Sequence, residues 1–544
     1  MEQSLIMKKI FGTISTYEFD GVILGRKEAD KNFLYSLLSY SSFDEFHIFL
    51  LEPSRKQYFI DHTRTIVKEF GLENKLKFFD IYDLVTCIKT CNYTVFHCNH
   101  LQMDSIFALR NNLHPKPLFP ITGFTHTLIN YQQSINLFHN LIYRPKPFDC
   151  IICSSTAGEQ VIQKAFNHLS NQFGKSFGQA IPYEGKTRII PIGVATSLPR
   201  IPDAKMQLGL PEQTKVILCL GRISFLTKMD LQPLLLVFSK IARLLPETLL
   251  IIAGGIAKGD EGCLDYLKIL SLQYGIENNI IVKTNVSDDE KQLLYSASDI
   301  YVSPSDHTQE TFGVTIIEAM AAGLPVVATD WNGYKDLIVE GETGFRIPTY
   351  WTQEDYEFCK AMPLTDAFSY QLNQQLVIDL DIFEQKLLYL LNNPDEVRRM
   401  GNKGKTTAAQ KYNWQNIIQQ HEELWSSLKE EAIQYHNDDK DHFFIGYPVT
   451  EVFSHYSTRN LDYSDYEEIS LTPYALEALT KSHDLIISPP LRNYLKPDII
   501  NKIVLGLNEN QRPKLLLEEI EKTYQKAIIV FNVQWLLKKG ILKI

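Results

Sequence analysis

The chain has 544 residues, 44% hydrophobic and 22% charged, a globular composition long enough for two or three domains. A formal net charge of −10 and a pI of about 5.8 exclude a general polyanion-binding surface, so neither nucleic acid nor an anionic membrane is the expected bulk partner. Eight cysteines form no disulfide framework in so long a chain, and the opening MEQSLIMKKIFG lacks the apolar core of a signal peptide, so a reducing cytoplasm is the expected compartment.

From the N-terminus onward, short apolar runs alternate with amphipathic stretches: FHIFLLE, YTVFHCNH, DCIICSS and RIIPIG, then KVILCLGR, TLLIIAGG, NIIVKT, DIYVSPS and PVVATD. That alternation predicts parallel βαβ units. The run LLLVFSKIARLLPETLLIIAGG is broken by Lys240, Arg243, Pro246 and Glu247, short of the roughly 20 apolar residues a membrane span needs. The Pro- and Gly-rich stretch IGVATSLPRIPDAKMQLGLPEQT predicts a hinge near residue 200, dividing residues 1–199 from a second sheet domain over 200–435. DIFEQKLLYLLNNPDEVRRMGNKGK and NWQNIIQQHEELWSSLKEEA predict amphipathic helices closing that second domain.

The polar segment HNDDKD, residues 436–441, marks a break, and 436–544 reads as a mainly helical accessory module with helix patterns around TPYALEALTK, RPKLLLEEIEK and FNVQWLLKKGIL. Its last two helices and terminal strand resemble a winged-helix unit. DNA binding would want clustered cations, yet acids and bases nearly balance, so the module is expected to bind a protein partner or a second copy, recruit an acceptor, or act as a structural lid.

The stretch ETFGVTIIEAMAAGLPVV carries the chemistry. DIYVSPS predicts a strand, TFG a loop, VTIIEAMAA a helix, Gly323 a left-handed cap and PVVATD the next strand. Glu310 then lies in the loop at the strand's carboxyl end and Glu318 in the second turn of an apolar helix, and carboxylates are rarely buried without partners. In open α/β sheets this edge is where ligands bind. The helix start at Gly313 and Val314 offers N–H groups and a positive dipole end to phosphate. Arg222, directly after KVILCL, and Lys228 supply two cations at the same edge. Each residue alone could be an ordinary ion-pair partner, with Asp230 or either glutamate taking the cations; their concentration at successive strand ends favours a ligand site.

These residues resemble those of a known family. GR-x5-K, SPS, the E-x7-E of Glu310 and Glu318, EAMAAGLPVVATD and GETGFRIP are similar to the donor domain of retaining family 4 glycosyltransferases of group 1, and the resemblance extends through most of residues 5–427. It implies an α/β fold of two facing Rossmann-like domains, GT-B, and a hexosyltransferase moving sugar from a nucleoside-diphosphate sugar, UDP ahead of GDP, with no other cofactor and no metal. It implies that Glu318 binds ribose hydroxyls, Glu310 the donor sugar, the N–H groups around Phe312, Gly313 and Val314 the diphosphate, and Arg222 and Lys228 the leaving phosphate. His126, in FPITGFTHTLIN, resembles the family's histidine at the reacting centre, and Gly21, in TYEFDGVILGR, resembles the first-loop glycine near the diphosphate. The pattern departs at Asp20-Gly21, where the family has Gly-Gly, and at Ile192 and Ala195, where it has Asn and Asp. The acceptor, whether glycan, lipid-linked glycan, small molecule or protein, is not named by these residues, and peripheral membrane contact stays open.

Rival readings exist. A glycosidase acid and nucleophile would stand about 5 Å apart, whereas five helical residues alone advance about 7.5 Å. A sugar-nucleotide epimerase on the same fold and a catalytically silent scaffold whose tail binds partners are the remaining alternatives. His126 could instead be a hydrogen-bonded core histidine, and His97 and His100 in FHCNH are expected to be so. Cys150 and Cys153 have redox-motif spacing but lie in a strand, where residues three apart face opposite sides. Asp379 and Asp381 imitate a metal-binding pair without a companion ligand.

Overall fold

The computed structural model describes residues 8–15, 17–18, 25–196, 199–256, 259–352, 366–435, 449–475 and 491–544. The chain divides into two compact units, Met1–Phe78 with Cys91–Phe443, and Phe79–Thr90 with Phe444–Ile544.

Two parallel sheets build the first unit. One comprises β1 (Ile10–Ser15), β2 (Glu45–Leu50), β3 (Leu76–Asp80), β4 (Val95–Cys98), β5 (Ile121–Phe124), β6 (Cys150–Cys153) and β7 (Lys186–Ile189), in the order β3-β2-β1-β4-β5-β6-β7. The other comprises β8 (Lys215–Leu220), β9 (Thr248–Gly254), β10 (Ile280–Thr284), β11 (Ile300–Ser303), β12 (Val326–Thr329) and β13 (Gly344–Ile347), in the order β10-β9-β8-β11-β12-β13. Central strands such as EFHIFL, CIIC, IYVS and VVAT are buried along their whole length, as strands covered by helices on both faces must be. The expected βαβ alternation is thus what forms. β7 ends at Ile189 rather than running through RIIPIG, since Pro191 has no N–H for a ladder.

In each sheet the order reverses once, between β1 and β4 and between β8 and β11. Connections from the two strands at such a point leave on opposite sides, and a crevice opens at the strands' carboxyl ends. Gly254, at φ +151°, lets β9 end against β8: a Cβ there would meet the Gly221 carbonyl oxygen at 1.7 Å.

The helix Trp414–Gln434 starts at Asn413, whose side chain accepts from the Asn416 N–H. Its apolar stripe packs on the first sheet: Ile418 and Trp425 join the core of Phe11, Phe33 and Phe46, while Ile417 and Leu428 meet Phe124 and Ile152. The chain thus returns to its first sheet after building the second. Arg110, on the helix Asp104–Asn112, meets Asp149, just before β6, in a bidentate pair at 2.6 Å for each bond, 2% and 0% exposed, and Asp149 also accepts from the Lys146 N–H and from the Ile121 N–H of β5.

In the second unit, helices Pro497–Asn508, Pro513–Glu521 and Lys526–Lys538 enclose a core including Ile499, Ile503, Leu517, Ile520, Val533 and Leu536. Ser470–Leu471 pairs antiparallel with Leu542–Lys543. Proline at the first turn starts two of these helices, where its missing N–H costs nothing. The helical character expected of this region is present; HNDDKD and the part of TPYALEALTK beyond residue 475 lie outside the described residues.

Candidate functional site

The crevice between β8 and β11 collects the charged residues singled out in the sequence. Arg222 and Lys228 follow β8 directly; Glu310 follows β11, and Val314–Ala321 is the helix that leads from β11 to β12. That helix begins at Gly313, held at φ +115°, and no side chain caps its first turn. A Cβ on Gly313 would meet the Tyr334 ring at 2.6 Å, so both the conformation and the space require glycine. The helix start is therefore an uncapped set of N–H donors beside two cations. Gly323, at φ +82°, closes the other end of the helix as expected, its N–H donating to the Met320 carbonyl.

Glu310 forms a close ion pair with Lys228, 82 residues away, with side chains 14% and 18% exposed. It also accepts from the Phe312 N–H at 3.3 Å. Burial pushes the Glu310 carboxyl up, but the Lys228 ammonium and the Phe312 and Thr311 N–H groups outweigh it, and the group sits below its ordinary range. Arg222 Nη2 donates to the Thr227 carbonyl at 3.2 Å, bracing the turn that carries Lys228. Glu318 is held differently. Lys291 Nζ meets its Oε1 at 2.6 Å and the Tyr295 hydroxyl donates to its Oε2 at 3.0 Å. Each carboxylate oxygen has a second lone pair, so two acceptor sites remain.

Across the crevice lies His126, after β5. Its Nε2 lies 2.9 Å from the Asn99 carbonyl and 3.2 Å from Asp30 Oδ1. A carbonyl only accepts, so Nε2 carries hydrogen. The loops bearing His126 and Glu310 touch, Gln309 Nε2 donating to Thr127 Oγ1 at 3.4 Å, and Ser155, after β6, donates its hydroxyl to the Thr311 carbonyl at 2.7 Å. Gly21 lies outside the described residues. The structure thus brings Arg222, Lys228, Glu310, Phe312, Gly313 and Val314 to one strand edge, with Glu318 one turn into the adjoining helix and His126 on the facing loop.

The set-aside signals have structural occupations. Burial, followed by the charge of His421, keeps His97 well below its ordinary value, and its Nδ1 bonds Thr122 Oγ1 at 2.8 Å. His100 Nδ1 accepts from the Gln102 N–H. Burial pushes the Cys150 thiol up to about 12 and raises Cys153 further, which suppresses thiolate chemistry. Asp379 caps the helix Leu380–Asn392 by accepting from the Ile382 N–H. Among the described residues no group of three or more His, Cys, Asp or Glu side chains could hold a metal, and no helix is long and apolar enough to cross a membrane.

Several members of the site escaped sequence reading. Lys291 and Tyr295 sit four residues apart on the helix Asp288–Ala297, one face of a single turn, and only the spacing hints at a shared target. Asp306 and His307 lie in a loop where polar residues carry no signal.

Comparison with known proteins adds to this geometry. Residues 201–357 match the family described as glycosyl transferases group 1. An uncharacterized glycosyltransferase of Methanocaldococcus jannaschii is 22% identical over 311 residues, covering 56% of this chain and 72% of that protein. The alpha-monoglucosyldiacylglycerol synthase of Streptococcus pneumoniae is 30% identical over 149 residues, 26% of this chain and 32% of that protein, so the match spans about a third of its length. Among solved structures, Anabaena HepE in complex with UDP superposes with a TM-score of 0.51 at 16% identity, over 77% of this chain and 100% of that one. That likeness is one of fold, the GT-B arrangement of two Rossmann-like sheets.

Proposed function

We propose that this chain, whose residues 201–357 belong to the glycosyl transferases of group 1, is a retaining, metal-independent hexosyltransferase that moves a sugar from a nucleoside-diphosphate sugar to an acceptor hydroxyl. The observation that carries this reading is the meeting, at the β8/β11 reversal, of an uncapped helix start, the cations Arg222 and Lys228, and two carboxylates with separate partners. A diphosphate fits the cations and the N–H groups. A ribose diol fits the two remaining acceptor sites of Glu318, and sugar hydroxyls fit Glu310. The UDP held by the similar Anabaena protein supports a uridine donor ahead of a guanosine one.

In the step proposed, the bond between the sugar's anomeric carbon and the phosphate oxygen breaks, and the acceptor oxygen bonds that carbon from the same face. The departing phosphate takes the acceptor proton, so the protein supplies no nucleophile. Arg222, Lys228 and the helix start carry the charge that grows on the leaving phosphate, the term that lowers the barrier. His126, fixed with hydrogen on Nε2, orients the facing side of the crevice. The second unit is proposed to bind a partner or the acceptor.

The test is incubation of the full chain with a panel of UDP- and GDP-hexoses, with and without mixed glycan and lipid acceptors, reading nucleotide release and sugar transfer. Turnover of a UDP-hexose with the anomeric configuration kept supports the reading. Inverted product, or interconversion of sugar nucleotides without transfer, overturns it.

A further inference from the structure

Three consecutive residues beyond β11 reach back to the turn that carries Lys228. Ser305 Oγ donates to the Lys228 carbonyl at 3.3 Å, Asp306 Oδ1 accepts from the Asp230 N–H at 3.1 Å, and His307 Nε2 bonds the Leu226 carbonyl at 2.9 Å. The His307 Nδ1 accepts from the Gln309 N–H at 3.0 Å, so the ring is the neutral tautomer with its hydrogen on Nε2. All three side chains are buried, and their own backbone is pinned to the region after β12: Thr329 Oγ1 donates to the Ser305 carbonyl at 2.6 Å and Trp331 Nε1 to the His307 carbonyl at 3.1 Å.

The turn also has a closure of its own: the Thr227 N–H and hydroxyl meet Ser224 Oγ, the Lys228 and Met229 N–H groups donate to the Ser224 carbonyl at 3.1 and 3.2 Å, and Arg222 holds the Thr227 carbonyl. Those bonds shape the turn within itself, whereas the three from Ser305, Asp306 and His307 fix it to the β11 edge where the donor phosphates would lie, and misplacing a positioning group by an ångström costs about a hundredfold in rate. A carboxyl buried beside Asp230 is moreover an expensive acceptor for one N–H; burial pushes Asp306 up to about 7.

We propose that Ser305, Asp306 and His307 form a clasp that positions Lys228 for the donor's phosphates. They are positioning residues, since none is assigned a contact with the donor, and the proposal rests on the donor-site reading above. The clasp acts on phosphate binding and leaves recognition of the nucleoside alone.

The experiment measures affinity of the full chain for UDP and for uridine, which lacks the phosphates, across Asp306→Ala, Asp306→Asn, Lys228→Ala and the double variant Asp306→Ala/Lys228→Ala. Asp306→Ala is expected to weaken UDP by about tenfold or more while uridine changes by less than about twofold, and Asp306→Asn, which keeps an acceptor for the Asp230 N–H, is expected to restore most of the loss. In the Lys228→Ala background the same change should cost under about twofold, because the clasp acts through that lysine. Should Asp306→Ala fail to fold, Ser305→Ala, which removes one hydroxyl, enters the same cycle with a smaller expected loss. Equal losses for UDP and uridine, or losses that add in the double variant, overturn the clasp while leaving the donor site standing. Wild-type protein that does not bind UDP overturns the donor-site reading and the clasp with it.

Discussion

Glu318→Gln and Glu310→Gln are expected to separate the two jobs proposed for the two carboxylates. Glu318 already holds Lys291 on one oxygen and Tyr295 on the other, leaving one lone pair on each for a ribose diol. A glutamine there must turn its NH2 away from the Lys291 ammonium and toward the Tyr295 hydroxyl, which can accept. One of the two acceptors for the ribose then becomes a donor, and the other loses its charge. The loss of a charged hydrogen bond costs about 1.5–3 kcal/mol, so UDP and the intact donor should both weaken by about 10- to 150-fold.

Glu310→Gln should do the opposite at the binding step. Its removal frees Lys228 from a close ion pair and takes a negative charge from beside the diphosphate, so UDP affinity should hold or rise. Turnover should fall, because the contact to the reacting sugar strengthens as charge develops. Calorimetric titration with UDP and steady-state rates for both variants make the comparison. Glu318→Gln that binds UDP like wild type, together with Glu310→Gln that abolishes UDP binding, would refute the division of roles.

Transfer is expected to survive EDTA, since Arg222, Lys228 and a helix start supply the charge opposite the diphosphate; complete, metal-reversible loss would contradict this. Asp149→Ala should destabilise the first unit by about 3–5 kcal/mol in denaturant unfolding, because it leaves Arg110 buried and unpaired; a change under about 1 kcal/mol would show the pair is dispensable. Asp306 has its carboxyl raised from 3.8 to about 7, chiefly by burial and then by Asp230, so the folded state holds the proton longer than the unfolded one and stability should fall as pH rises from about 4 to about 7. Asp306→Asn removes that dependence and should gain up to about 4 kcal/mol over wild type at pH 8, with little gain at pH 4, as read from unfolding midpoints. A chain ending at Tyr435 should keep UDP affinity, because Arg222 to Glu318 all precede the cut; a soluble truncation blind to UDP would show otherwise.

Much of the two-sheet fold is legible in the sequence because strands covered on both faces must be continuous apolar runs, as KVILCL and IYVS are. β3, LKFFD, was not so marked, and its half-buried pattern explains why: an edge strand needs no apolar run. The helix Trp414–Gln434 was legible as a helix but not in its destination, since an amphipathic stripe states that a face is buried and not against what. The same limit governs the site. Glu310 and Glu318 share one loop and helix, so their spacing places both. Lys228 meets Glu310 only because β8 and β11 are neighbours, and strand order is absent from local pattern.

The partners that sequence reading missed are also the ones that distinguish the two glutamates. Lys291 and Tyr295 hold Glu318 from a neighbouring helix of the protein itself, so its carboxylate is oriented before any ligand arrives. Lys228 is the group to which the proposed donor site assigns the diphosphate, so on that reading the Lys228–Glu310 pair belongs to the free protein and loosens on binding. The ion pair neutralises a largely buried carboxylate and ammonium in the free protein; in the proposed donor complex, phosphate would take its place against the lysine and sugar hydroxyls against the glutamate. A site so arranged loses little electrostatic energy on opening that pair, because each partner is handed to a group of matching charge or hydrogen-bonding character. It also accounts for a lysine turn fastened at three backbone positions: when Lys228 gives up Glu310, the clasp from Ser305 to His307 is what still holds it in place.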